Sequence, residues 1–186
     1  LQPICVRPTK DGMFEIVYGY RRYSAAIYAD LKEVLAIVRE LSDDEAEDLA
    51  ITENLQREDI TPLDEAAAFK RALDTGRHTY EGLSSKFGKS ESYIHGRMKL
   101  NYLIPEMAAL LKKEEINVGV AIEIAKYEPE IQQEVYRLHF KNDDMMSWKN
   151  VRIKEIAKRL YDQYMPQLDR YNFDMAECNE CGKNTR

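Results

Sequence analysis

From Ser42 onward the chain is punctuated at short intervals by helix-start signals, and this limits its fold more than any other feature. Ser42 and Glu45 have the spacing of a capping box, in which each side chain satisfies a backbone N–H at a helix start, so a helix is expected from about Asp43 to Gln56. Thr61-Pro62 repeats the grammar, with Thr as N-cap, Pro at the first helical position, Asp64 and Glu65 in the electropositive first turn and Gly76 as terminator. Ser90, Pro105, Asn117, Pro129 and Ser147 open shorter helices, expected near 91–102, 105–114, 118–126, 130–140 and 148–163, with one more over 80–86. The stretch before Ser42 reads differently. Phe14-Glu15-Ile16-Val17-Tyr18 is rich in β-formers and stops at Gly19, residues 20–29 read as a short helix, and Glu33 to Val38 is a second strand candidate. A small α/β part therefore precedes an all-helical remainder.

Composition bears on the class of partner. The chain has 186 residues, 44% hydrophobic and 32% charged, with a net charge of -6, an ordinary globular balance. No apolar run approaches the roughly 20 residues of a membrane-spanning helix, and the start lacks the plan of a signal peptide, so a cytoplasmic protein without a membrane role is expected. Charge is unevenly distributed: acids crowd residues 30–65, whereas Lys70, Arg71, Arg77, Lys86, Lys89, Arg97 and Lys99 face only Asp74, Glu81 and Glu91. Such a locally basic segment is either a solvated helix face or a confined DNA-contact surface.

A strand that stops at Gly19 and turns directly into a helix leaves backbone N–H groups at the positive end of the helix dipole, a ready anion site. Arg21 and Arg22 add guanidinium forks that match phosphate oxygens. On the helix from Asp43, Ala46, Leu49 and Ala50 define an inward face whose continuation is polar: Glu53, Asn54 and Arg57. Either Glu53 and Arg57 pair with each other at i, i+4, or the three face a metal and a phosphate, for which Glu and Asn oxygens suit Mg2+.

Farther on, Tyr80 to Lys86, a turn at Phe87-Gly88-Lys89 and Ser90 to Leu100 have the proportions of a helix-turn-helix, with Leu83, Phe87, Ile94 and Met98 as its small core. Lys89, Ser90, Glu91, Ser92 and His95 then lie near the N-terminal end of the second helix, with Arg97 and Lys99 around them, where base edges and phosphates would be met. The Gly-Lys-Ser of this turn lacks the spacing of a P-loop. An αα-hairpin used only for packing is the alternative.

These segments carry a resemblance. Gly19-Tyr20-Arg21-Arg22-Tyr23-Ser24-Ala25-Ala26 resembles the Gly-Glu-Arg-Arg-x-x-Ala box of ParB-type partition proteins, and Glu53-Asn54-Leu55-Gln56-Arg57-Glu58-Asp59-Ile60 is very close to their Glu-Asn-x-Gln-Arg-x-Asp-Leu box. Gln2-Pro3-Ile4-x-Val6-Arg7 is similar to their first box, and Gly88-Lys89-Ser90-Glu91-Ser92-Tyr93-Ile94 to their helix-turn-helix turn, so the resemblance covers roughly Leu1 to Pro129. Arg97 to Pro105 is about one residue longer than the common chromosomal form and looks more like plasmid and mobile-element variants. The resemblance implies a ParB/sulfiredoxin-like α+β N-terminal domain followed by an all-α helix-turn-helix domain. It also implies CTP with Mg2+ as cofactors: Gly19, Arg21 and Arg22 on the phosphates, Glu53 and Asn54 on the metal, and Gln56 and Arg57 as further phosphate-side contacts. The family hydrolyses CTP slowly and closes into a dimeric clamp on double-stranded DNA at a centromere-like site. A ParA-type ATPase partner, a homodimer and a nucleoid- or plasmid-associated location follow from the same resemblance. Tyr20 stands where the family carries an acidic residue, a departure that bears on hydrolysis more than on phosphate binding.

The expected division is 1–60 for the nucleotide-binding domain, 61–140 for the DNA-binding domain and 141–186 for a C-terminal helix and tail. Two rivals share this architecture: a transcription regulator with a degenerate nucleotide pocket, and a small-molecule kinase on the ParB/sulfiredoxin-like fold, in which the helix-turn-helix has no evident use. Sulfiredoxins place a Cys where Tyr20 stands, which sets their chemistry aside. Cys178 and Cys181 have zinc-ligand spacing but are half of a four-ligand site, and with Cys5 they make no disulfide framework. Trp148 and the tyrosines at 161, 164 and 171 read as core or partner-helix contacts, and His78 and His139 as surface or structural residues. The chain, opening at Leu1 and closing just past Cys181, is expected to be part of a longer protein whose ATPase-activating tail and dimerisation domain are not recognisable here.

Overall fold

The structure is a computed structural model, and it describes residues 2–165 apart from 58 and 143–146. Its first module is a three-stranded sheet with one helix on it: β1 (Ile4–Pro8), β2 (Phe14–Tyr18), α1 (Tyr20–Tyr28) and β3 (Ala36–Val38). The expected strand-turn-helix-strand order is present, and the strand absent from the expectation, β1, is the central one: the sheet order is β2-β1-β3. β1 runs antiparallel to β2, with Val6 opposite Ile16, and parallel to β3, with Cys5 opposite Ile37. Ile4, Cys5 and Val6 are all buried, so β1 reads as a short apolar run without the alternation that flags a half-exposed strand. β3 is shorter than expected, starting at Ala36 instead of Glu33.

Nine helices complete the described residues: after α1 come α2 (Asp43–Leu55), α3 (Pro62–Asp74), α4 (Tyr80–Phe87), α5 (Glu91–Lys99), α6 (Pro105–Lys112), α7 (Val118–Ile124), α8 (Pro129–His139) and α9 (Ile153–Tyr164). Most start where the sequence signals them. Ser42 and Glu45 form the capping box, the side chains of Thr61, Ser90 and Asn117 accept from backbone N–H groups three residues on, and Pro105 and Pro129 occupy first-turn positions. The helix expected over 91–102 ends at Lys99 and tightens into a 3₁₀ turn at Leu100–Tyr102, where the Asn101 amide donates to the carbonyls of Ala66 and Met98. The helix expected from Trp148 instead begins at Ile153. Trp148 is buried, and its N–H is bound to the His139 carbonyl, which fixes a turn where the helix was expected to start.

Three apolar clusters hold the molecule together. Cys5, Val17 and Ala46 form the first, under the sheet, with Leu49 and Ala50 of α2 packed on it. Ile51 and Leu55 of the same helix turn to the second, with Phe69, Ala72, Leu83 and Ile94 of α3 to α5. The largest joins α6 to α9 and includes Met107, Val120, Phe140, Trp148, Ile156 and Leu160. Over its described part, the segment expected as a separate C-terminal piece from residue 141 thus packs into the core of the helices before it. Tyr164 lies against the same cluster and meets Tyr127 edge-on, while Tyr161 is exposed; Tyr171, Cys178 and Cys181 lie outside the described residues. No described helix is long and apolar enough to cross a membrane.

One buried carboxylate ties α3 to α5. Glu65 is 7% exposed; it accepts the Tyr93 hydroxyl at 2.8 Å and lies 2.7 Å from the Arg97 Nε. Removing one partner of a buried ion pair strands the other, at a cost of roughly 3–5 kcal/mol. Glu65→Ala is therefore expected to destabilise the protein by about 3 kcal/mol, near the low end of that range because Arg97 retains some contact with solvent. Urea unfolding of the two proteins checks this, and a change below about 1 kcal/mol would contradict it.

Candidate functional site

The β2 strand ends at Gly19, whose φ of 99° is in the left-handed region, and α1 begins at the next residue. A Cβ at Gly19 would stand 2.8 Å from the Ile4 Cγ2, so glycine is required both for the backbone conformation and for the close approach to β1. This aims the first turn of α1, with its unpaired N–H groups, into a cleft of about 540 Å3 between the sheet module and the helices α2 and α3.

The cleft gathers most of the residues the sequence singles out: Gly19, Arg21, Arg22, Glu53, Asn54 and Arg57 all line it. Gln56, expected with them, caps α2, is exposed and is not a lining residue. Glu53 and Arg57 do not pair with each other. Arg57 turns to Asp59, to which it donates through Nε and Nη2 at 2.9 to 3.0 Å, and Arg21 joins the same carboxylate at 3.1 Å. Arg22 instead donates to the carbonyls of Gln2 and Pro3 and stands 3.8 Å from Glu53. Arg22 thus ties the first box of the sequence to the second and third. Tyr20 also lines the cleft, and its hydroxyl donates to the Ile16 carbonyl.

Three lining residues were missed at sequence level. Asp59 belongs to the box that starts at Glu53 but carries no site role in the sequence reading, and Glu47 and Arg71 sit on helix faces with no motif to mark them. Two Arg side chains on Asp59, Arg57 first and Arg21 second, hold its carboxyl below the usual aspartate range. Glu53 and Asn54 together offer a carboxylate and an amide oxygen. Among the described residues no group of three or more His, Cys, Asp or Glu could hold a metal unaided. That donor set fits an ion such as Mg2+, which takes one or two protein oxygens and completes its shell with phosphate and water.

In the helix-turn-helix, α4 closes on Gly88 in the left-handed conformation (φ 63°), and Ser90 caps α5 by accepting from the Tyr93 N–H. Leu83 and Ile94 are buried between the helices, with Phe87 and Met98 packed on them. Lys89, Ser90, Glu91, Ser92 and His95 are exposed at the start of α5, and Lys99 is half-buried at its end. Lys89 lies over the Tyr93 ring, and His95 is stacked 3.9 Å from Tyr80. Arg97 is placed otherwise than expected. Its side chain is 16% exposed and is drawn inward by Glu65 and the Tyr93 hydroxyl, so it braces α5 from inside. His78 approaches Asp48 at 3.3 Å, and His139 stacks on Trp148, both structural placements.

A sheet module whose β2 strand turns at Gly19 into a helix N-terminus facing a cleft lined by Arg21, Arg22 and Arg57, joined through α2 and α3 to a helix-turn-helix, defines a two-module protein of the nucleic-acid-binding class. Comparison with known families makes this specific: residues 1–55 match the ParB N-terminal domain and residues 58–159 the ParB HTH domain. The chain belongs to the ParB family. It is 44% identical over 130 residues to the chromosome-partitioning protein Spo0J of Thermus thermophilus, covering 70% of this chain and 48% of that protein. Among solved structures, the C-terminally truncated chromosome-partitioning protein ParB of Caulobacter crescentus, complexed to the centromeric parS site, aligns over 87% of this chain and 83% of that one, at 31% identity and a TM-score of 0.60. A structure of the same C. crescentus protein complexed with CTP-gamma-S aligns over 73% and 77% at 37% identity and a TM-score of 0.35. The chain spans about half the length of the T. thermophilus relative.

The folded pKa of Asp59 is depressed below its unfolded value, so its contribution to stability is present above the unfolded pKa and is lost as pH falls through the folded one. An NMR titration of the Asp59 carboxyl carbon is expected to show a midpoint below the about 3.9 of an unperturbed aspartate, so that most of the group is ionised there. An ordinary midpoint would mean that Arg21 and Arg57 do not hold it in solution.

Proposed function

We propose that this chain is the nucleotide- and DNA-binding part of a chromosome or plasmid partition protein, in which Mg-CTP in the Gly19 cleft controls a dimeric clamp on DNA. The observation that carries the reading is the convergence, in one cleft, of a helix N-terminus, Arg21, Arg22 and Arg57 with the oxygen pair Glu53 and Asn54. Three guanidinium groups and a helix N-terminus beside two oxygen donors match a polyphosphate with its metal better than any neutral ligand. The cytidine base comes from the family resemblance, and the phosphates from the chemistry of the cleft.

In this reading Gly19 lets the α1 N–H groups approach the phosphates, and Arg21 and Arg22 bind them in pairs. Glu53 and Asn54 would hold the metal, with Arg57 on the phosphate side and Gln56 reaching in only if the end of α2 reorganises. Exchange of Asp59 for phosphate oxygens by Arg21 and Arg57 favours the loaded arrangement, which shifts the population toward a closed dimer. Lys89, Ser90, Glu91, Ser92, His95 and Lys99 face the DNA, as in a helix-turn-helix whose second helix enters the major groove. A centromere-like site, a ParA-type ATPase partner, a homodimer and nucleoid or plasmid association belong to the same proposal.

Calorimetric titration with CTP and Mg2+ tests the cleft, and absence of heat at millimolar CTP would overturn the nucleotide reading and leave a DNA-binding regulator. Glu53→Ala is expected to remove the Mg2+ dependence of binding, and retention of that dependence would move the metal elsewhere. Recovery of genomic fragments with and without CTP, read by sequencing, should show enrichment at discrete sites. An even spread in both conditions would exclude site-specific loading. Lys89→Ala is expected to weaken binding to all sequences alike and to lower the salt slope by about 1, the signature of one lost phosphate contact.

A further inference from the structure

The cleft holds four guanidinium groups: Arg21, Arg22, Arg57 and Arg71. Three are already engaged, Arg21 and Arg57 on Asp59 and Arg22 on the carbonyls of Gln2 and Pro3 beside Glu53. The Arg71 side chain, exposed on α3, makes no ion pair or hydrogen bond among the described residues, whereas its neighbour Lys70 is paired with Asp74 at 2.6 Å. Arg71 is also the sole lining residue supplied by α3; all the others come from β2, α1, α2 and the segments that follow β2 and α2. An unpaired guanidinium on a helix surface is ordinary in itself. Here it lines a cleft built by another module, from a helix whose apolar faces are packed against its neighbours.

Those faces matter to the consequence. Phe69 and Ala72 of α3 are buried toward α2, α4 and α5, and Glu65 holds α5 through Tyr93 and Arg97. Movement of α3 relative to the sheet module therefore carries the DNA-reading helix with it. A polyphosphate held by Arg21 and Arg22 presents oxygens to which a planar guanidinium binds in pairs, and only an arrangement with α3 close to the ligand forms that bond. Such a difference in contacts between two arrangements is what lets a ligand shift their populations.

We infer that Arg71 is a nucleotide ligand contributed by the DNA-binding module, and the residue through which occupancy of the cleft is passed to α3 and on to α5. This rests on the nucleotide reading of the cleft given above. It is tested on the whole chain with Arg71→Ala, Arg71→Gln and Arg71→Lys, beside Lys70→Ala as a control on the same helix. CTP with Mg2+ and cytidine, which has no phosphate, are the two probes, and DNA affinity is measured with and without saturating CTP. Loss of one charge-assisted contact predicts CTP binding weakened roughly tenfold or more in the Ala and Gln variants, with part of the loss recovered by Lys. Cytidine binding should be the same in all, and Lys70→Ala should match the wild type. The change in DNA affinity produced by CTP should shrink in Arg71→Ala even at saturation. Wild-type binding with unchanged CTP affinity in Arg71→Ala and Arg71→Gln would overturn this inference and leave the nucleotide reading standing, whereas failure of the wild type to bind CTP would overturn both. Full recovery of the DNA response in Arg71→Ala at saturating CTP would also overturn it, by showing that the coupling runs elsewhere.

Discussion

Glu65 places a carboxylate between α3 and α5, and the position of α5, the second helix of the helix-turn-helix, depends on how that charge is satisfied. The single Tyr93 hydroxyl proton is shared between the two oxygens, at 2.8 and 3.0 Å, and one of them meets the Arg97 Nε at 2.7 Å. Burial pushes the Tyr93 hydroxyl up, opposed by Arg97 and aided by Glu65, so the phenol stays protonated and keeps donating. Desolvating such a group is expensive, and the compensation is directional: an apolar pair would allow α5 to slide along α3, whereas three polar groups with fixed geometry do not. The turn at Gly88, the Ser90 cap and the apolar contact of Leu83 with Ile94 complete the setting of α5 from the side of α4.

The cleft depends on a different economy, in which one helix serves two cores. Ala46, Leu49 and Ala50 bring α2 onto the sheet, while Ile51 and Leu55 turn it toward α3 to α5. Between these faces the same helix presents Glu47, Glu53 and Asn54 to the cleft. Glu47 is shared with Arg77, which also reaches Asp44 and Asp48, so the acidic start of α2 is clasped by the segment after α3. This clasp joins the modules at the start of α2, where Glu47 also lines the cleft, and Glu53 and Asn54 continue the cleft lining toward its end.

Legibility from sequence followed the range of each interaction. Helix starts were read well because caps are local: Ser42 with Glu45, Thr61 with Asp64 and Ser90 with Tyr93 lie within one turn. The residues of the cleft were legible where they stood in motifs, at the Gly19 turn and from Glu53 to Arg57. What escaped was long-range. β1 is a buried strand whose partners, at Ile16 and Ile37, are fixed by the sheet and not by its own pattern. Trp148 ends up buried against the neighbourhood of His139, which displaced the start of α9 to Ile153. Glu65 was read as a favourable first-turn charge, although it shares a helix face with Ala68, Phe69 and Ala72; an acid on an apolar stripe was the available signal that it has a buried partner. That partner, Arg97, was accordingly assigned to the surface.

The division of α2 between two cores also limits how this architecture can be recombined. A fragment cut after the sheet module at residue 60 would carry Ile51 and Leu55 with nothing to cover them, and would leave Arg71 behind. Exchange of α5 between relatives has to preserve its seat on α3, through Glu65, Tyr93 and Arg97, and the apolar contact of Ile94 with Leu83 of α4 and Ile51 of α2. Exchange of the sheet module needs α2 and α3 to travel together, as a pair already fitted to each other. Recombination within such a chain therefore respects α2, which is fitted to the sheet on one side and to α3, α4 and α5 on the other, so the cleft is inherited whole.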